Sequence, residues 1–141
     1  MDDTDKIRRS VAEMGNLLTV VCHKASRDAG WWQNLSTGTD HVMEVRKGTE
    51  FGRALVGQKL MLIVSEVAEA MEGHRKELMD DKLPHRPMCE VELADAVIRI
   101  CDLAGAMCYD LGGAIRDKLA YNAVRLDHKL ENRAAPGGKA Y

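Results

Sequence analysis

Several features are scarce in this chain of 141 residues. Only two Trp, three Tyr and one Phe are present, so Leu, Ile, Val, Ala and eight Met must build the core. That diet suits packed helices better than a β-sandwich, and no segment alternates apolar and polar residues with the period of a strand. Long hydrophobic runs are missing too. The longest strictly apolar stretch, Leu60-Met61-Leu62-Ile63-Val64, falls far short of the ~20 residues that span a bilayer, so no membrane partner is expected. Neither sign of charge dominates: 20 Lys+Arg against 22 Asp+Glu leave −2. A global basic surface for nucleic acid or anionic lipid is thereby excluded, and any cationic function must be local. The four cysteines form no CxxC pair. Cys101 and Cys108 would lie ~10 Å apart on one helix, too far for a disulfide. All four, Cys22, Cys89, Cys101 and Cys108, read as small buried hydrophobes in a reduced cytosol. The acidic opening, Met1 to Lys6, has no apolar run behind it, which argues against a signal peptide and for a cytoplasmic protein.

What is present is a globular mixture, 45% apolar and 30% charged. One all-α domain, a roughly four-helix bundle, is expected over residues 1–132, with a tail over 133–141. The first helix is expected over about Thr4–Asp28, with Ile7, Val11, Met14, Leu18, Val21 and Ala25 on one face and Gly30 ending it. A polar loop then carries two exposed-looking tryptophans, Trp31 and Trp32, before a short helix at His41–Arg46. The second long helix is expected from near Thr49 to about Met79, along Leu60, Ile63, Val67, Ala70 and His74. Asp80 to Pro87 reads as a linker, because Pro84 and Pro87 cannot continue a helix. The third helix begins near Pro87 and runs along Val91, Ala94, Ile98, Cys101 and Met107. Asp110 is an N-cap for the fourth, whose face is Ile115, Leu119, Ala123, Leu126 and Leu130 and whose first turn Gly112-Gly113 weakens.

Acids interrupt these apolar stripes. Glu66 and Glu69 stand three apart, about 60° around the axis, and Glu66 has no Lys or Arg three or four positions away. Glu92 and Asp95 repeat the spacing; Arg99 can reach Asp95 along the helix, whereas Glu92 stays unpaired. Acidic pairs are common on solvated faces, and Glu72 with Lys76 is an ordinary surface pair. Two pairs on apolar stripes of helices in one bundle differ, because facing carboxylates cost several kcal/mol unless protonated or bound to a cation. Mg²⁺ is the natural partner, with Mn²⁺ as a substitute: it prefers carboxylate oxygen and leaves room for phosphates. A di-iron bundle would need Glu-x-x-His. The residues three before the five histidines are Val20, Gly38, Met71, Lys82 and Arg125, none acidic.

A phosphate site also needs cations. Lys59 lies seven before Glu66, about 20° from it on the same face, and Lys118, Asn122, Arg125 and Lys129 form a polar stripe on the fourth helix. Gly137-Gly138-Lys139 either folds over a phosphate or belongs to a disordered tail. Trp31 and Trp32 either stack on a base or pack against protein.

Ser65-Glu66-x-x-Glu69, then 22 intervening residues, then Glu92-x-x-Asp95 and later Lys118-x-x-x-Asn122, resembles the MazG-like nucleoside triphosphate pyrophosphohydrolases of the all-α NTP pyrophosphatase superfamily. The similarity covers roughly Gln58 to Arg125 and extends loosely to the Trp-Trp loop and the Gly-Gly-Lys tail. The resemblance implies a Mg²⁺-dependent hydrolase cleaving a nucleotide between its α- and β-phosphates. Glu66, Glu69, Glu92 and Asp95 would be metal ligands, and Glu69 or Glu66 the general base. Lys118 and Asn122, with Lys59, Arg125 and Trp32, would hold the nucleotide. It further implies a homodimer or a dimer of dimers. Many members open the first motif with an acidic doublet, whereas this chain has Ser65 before Glu66. The rival expectations are a narrower substrate (dUTP, dCTP or a guanosine alarmone) and a helical interaction module without activity.

Overall fold

A computed structural model describes residues 3–139. The first two residues of the acidic opening and the last two of the tail lie outside the described residues. Among the described residues there are six α-helices and no strand. They are α1 (Asp3–Asp28), α2 (His41–Lys47), α3 (Glu50–Arg75), α4 (Met88–Ala106), α5 (Leu111–Val124) and α6 (Leu130–Ala134), with a 3₁₀ turn at Leu126–His128. The all-α expectation holds. No helix among the described residues is long and apolar enough to cross a membrane.

Packing divides the chain into two units. One comprises the residues up to Asn16 together with those from Asp110 onward; the other is Leu17–Tyr109. The larger unit is built on the α3–α4 hairpin, with α2 packed against both helices. Its core is Trp32, Val42, Val45, Leu55, Leu103 and Ala106, against which Val56, Ile63 and Met107 lie. Capping follows the sequence. Asp40 Oδ1 accepts from the Val42 amide at 2.9 Å to start α2, and Thr49 Oγ1 accepts from the Gly52 amide at 3.0 Å to start α3. Gly30 ends the chain's first helical run with φ +81°, and its amide donates to Arg27 O.

In the smaller unit, Asp110 Oδ1 accepts from the Gly113 amide at 2.9 Å and from Asn16 Nδ2 at 2.6 Å. Gly112 has a positive reason for its place: a Cβ there would sit 2.0 Å from Ala12 O. The close approach of α1 and α5 needs a residue without a side chain.

Several expectations change. α3 stops at Arg75 rather than near Met79, because Glu77 takes a left-handed φ of 52° and the Leu78 amide returns to Gly73 O at 3.0 Å. The expected fourth helix breaks at Arg125, which is extended with ψ 130°. Leu126, Lys129 and Leu130 therefore leave the face of α5. The tail is not loose over its described part, since Lys139 Nζ donates to Asp127 Oδ2 at 2.9 Å. Cys22 and Cys101 are buried, but Cys108 is exposed. Burial pushes the Cys22 thiol up, with Cys101 and Asp102 adding to the shift.

The inward line of α3 includes Leu55, Glu66, Ala70 and Gly73, while Leu60, Val67 and His74 face outward. On α4, Ala94 and Ile98 are exposed and Glu92, Ala96, Cys101 and Asp102 are inside. Ile7, Met14, Leu18 and Val21 of α1 are likewise exposed, as are Ile115 and Leu119 of α5. α3 and α4 carry apolar residues on both their inward and their exposed sides, and the apolar face of the amphipathic α1 is open along much of its length, so periodicity alone did not determine which side meets a neighbour within the chain.

Candidate functional site

The α3–α4 hairpin brings the paired acids together. Carboxylate oxygens of Glu66, Glu69 and Glu92 all lie within 4.8 Å of one another. Glu66 is 6% and Glu92 9% exposed, whereas Glu69 and Asp95 are open to solvent. Burial pushes the Glu92 carboxyl up to about 7, helped by its hydrogen bond with Glu66 and by the charges of Glu69, Glu66 and Asp95. Asp95 is also raised, first by burial, then by Glu66 and Asp80, while Arg99 pulls it down. A cavity of about 430 Å³ opens onto all four acids.

Two members of this cavity escaped the sequence reading. Asp80, placed in a plain linker, is buried; its Oδ1 accepts from the Lys82 amide at 2.9 Å and the Leu83 amide at 2.5 Å. This turn folds the 76–87 connection back beside α4, where the Met88 amide donates to Leu78 O at 2.9 Å. Arg99 is the second. Its Nε sits 2.5 Å from Glu66 Oε1, so Glu66 does have a cationic partner, supplied by the neighbouring helix. The turn-forming run after Asp80 was the only signal for its role; nothing local in the sequence indicated the cross-helix pair.

Lys59 and Trp32 occupy a separate polar network. Trp32 is 2% exposed, not surface-facing as expected, while Trp31 is 71% exposed. Trp32 Nε1 donates to Asp102 Oδ1 at 2.7 Å, and His23 Nδ1 lies 2.9 Å from the same oxygen. The Lys59 ammonium is 4.3 Å from the Trp32 ring centroid and 3.8 Å from Asp102 Oδ2. The Trp32 ring thus packs in the core under a lysine, a position that leaves no open face for a base. Burying such a ring is worth about 3 kcal/mol. Burial lowers the Lys59 pKa, Asp102 opposes the shift and Arg99 reinforces it. Asp102 is the hub of His23, Trp32 and Lys59. His23 Nε2 is buried without a hydrogen-bond partner, so the network ends there.

Lys118, Asn122 and Arg125 belong to the smaller unit. Lys118 Nζ lies 5.0 Å from the Tyr121 ring centroid. Asn122 Oδ1 is buried and unpartnered. Arg125 is committed to a bidentate pair with Asp127, at 2.9 and 2.6 Å, which holds the Asp127 carboxyl far below the usual range.

No protein-family model, no curated protein and no solved structure matches the chain. Its function is therefore argued from the site alone. Three oxygen donors converging from two helices, two of them buried, fit a hard divalent cation. Without a cation or a proton such a group pays both desolvation and mutual repulsion, and the raised Glu92 is the trace of that cost.

Proposed function

We propose that this chain is a Mg²⁺-dependent nucleotide pyrophosphohydrolase of the MazG-like kind. It would hydrolyse a nucleoside or deoxynucleoside triphosphate between the α- and β-phosphates, giving monophosphate and pyrophosphate. The observation that carries this reading is the convergence of Glu66, Glu69 and Glu92 within 4.8 Å. Glu66, Glu69, Glu92 and Asp95 are the proposed ligands. Mg²⁺ (or Mn²⁺) would neutralise phosphate charge and acidify a water molecule. Glu69, exposed at the rim of the cavity, is well situated to accept the proton of an attacking water. Lys118 and Asn122 are assigned to substrate on the sequence resemblance. Arg125 would first have to leave Asp127, and Trp32, enclosed in the core beneath Lys59, takes no part in holding the base. An interaction module would turn Glu66 and Glu92 outward; their burial supports the metal reading instead.

Oligomerisation belongs to the same proposal. Leu60, Val64, Val67 and Met71 form an exposed apolar stripe along α3, and Leu93, Val97 and Ile100 form another along α4. A second copy covering them would complete a four-helix arrangement around the two hairpins.

Incubating the chain with the common triphosphates and Mg²⁺ is expected to release pyrophosphate. Glu66→Gln and Glu92→Gln should each lower turnover by about 10²-fold or more while the protein stays helical. Release of orthophosphate alone would refute the assigned scissile bond, and near-normal rates would remove these residues from the metal shell. The same screen separates a general enzyme from one restricted to dUTP, dCTP or an alarmone.

A further inference from the structure

Arg99 stands where its charge matters most. Its guanidinium touches Glu66, the more deeply buried member of the cluster, yet Nε is itself buried and makes no hydrogen bond. The contact is therefore coulombic and out of line, and the directional donors of the fork are not spent on it. The side chain is 41% exposed and lines the same cavity as the acids. Lys82 is the other cation of that lining, and it is paired with Asp81. A divalent ion seated on Glu66 would meet the guanidinium as a like charge against the very oxygen it needs. A phosphate chain arriving with the ion would meet the same guanidinium as an opposite charge.

We infer that Arg99 exchanges partners: it yields Glu66 to the incoming divalent cation and passes its guanidinium to the polyphosphate that the cation carries. This rests on the metal-site reading above and adds to it a change of partner on loading and a phosphate-contacting residue on α4. Glu66 is held by Arg99 until the ion arrives, so the acids stay gathered at a cost in metal affinity. The fork then has two N–H edges to offer phosphate oxygens.

The test is calorimetric and independent of turnover. Mn²⁺ alone is titrated into the full chain at pH 8, and inorganic tripolyphosphate is then titrated into the Mn²⁺-saturated protein. R99Q is expected to bind Mn²⁺ about tenfold more tightly than the parent chain, since one opposing charge has gone. It should bind tripolyphosphate about tenfold more weakly. R99K keeps the charge without the fork and should match the parent chain for Mn²⁺ while losing roughly threefold for tripolyphosphate. Circular dichroism checks that both variants are helical, and R99K carries the test if R99Q does not fold. Unchanged or weaker Mn²⁺ binding by R99Q overturns the exchange, and unchanged tripolyphosphate binding by either variant overturns the transfer to phosphate. Failure of the parent chain itself to bind Mn²⁺ would overturn the metal-site reading, a result distinct from either.

Discussion

A carboxyl group held near 7 in the folded chain shapes stability in the opposite sense to an ordinary paired acid. Glu92 has its pKa raised from 4.5 to about 7, so the folded state binds its proton more tightly than the unfolded state does. The stabilisation is complete below about 4.5 and is lost as pH rises through 7; the raised Asp95 works in the same direction. Without divalent ions, stability is expected to fall on the order of 1–3 kcal/mol between pH 5 and 8. Thermal melts across that range should show the fall, Glu92→Gln should flatten it, and Mg²⁺ should restore stability at pH 8. A flat profile for the parent chain would contradict the account of Glu92. These acids were legible in the sequence because each interrupts an apolar stripe at a spacing that keeps its pair on one helical face. The partner of Glu66 was not, because Arg99 lies 33 positions away and only helix packing joins them. Trp31 and Trp32 are chemically identical neighbours in a polar stretch. Which of them goes inside depends on a carboxylate at Asp102 that no local pattern connects to the loop.

The turn between α3 and α4 sets how the two acidic motifs face each other. Asp80 gathers two amides of the connection, and the Asp80 amide itself donates to Arg86 O at 3.0 Å. Asp80→Ala should cost about 1–3 kcal/mol in a denaturant titration, since it removes the buried carboxylate on which the Lys82 and Leu83 amides close the turn. It should also weaken Mn²⁺ binding without touching a proposed ligand. A loss no larger than that of Asp81→Ala would show that Asp80 has no special place. Helix starts were readable where a cap was present, as at Asp110. Helix ends were less so. Leu78 and Met79 continue the apolar spacing past the true end of α3, and Leu126 and Leu130 do the same past α5. In both places a backbone change, left-handed at Glu77 and extended at Arg125, ends the element with no glycine or proline to announce it.

On the scale of the whole molecule, the all-helical composition was the easiest feature to read, and the distribution of apolar surface the hardest. Faces expected to meet inside one chain are open along α1, α3 and α4. Replacing Val64 by Lys at the middle of the α3 stripe is expected to shift sedimentation towards a single chain while leaving the helical signal intact. A parent chain that already sediments as a monomer would remove the proposed self-association. The larger unit also gathers much of its internal order on one side chain, since Asp102 serves the end of α1 through His23, the loop through Trp32 and α3 through Lys59. In a mutational scan these three residues should behave as a single locus. Once Asp102 is altered, further changes at His23, Trp32 or Lys59 should add little, so the energetic cost of losing the cluster is charged almost entirely to whichever member goes first.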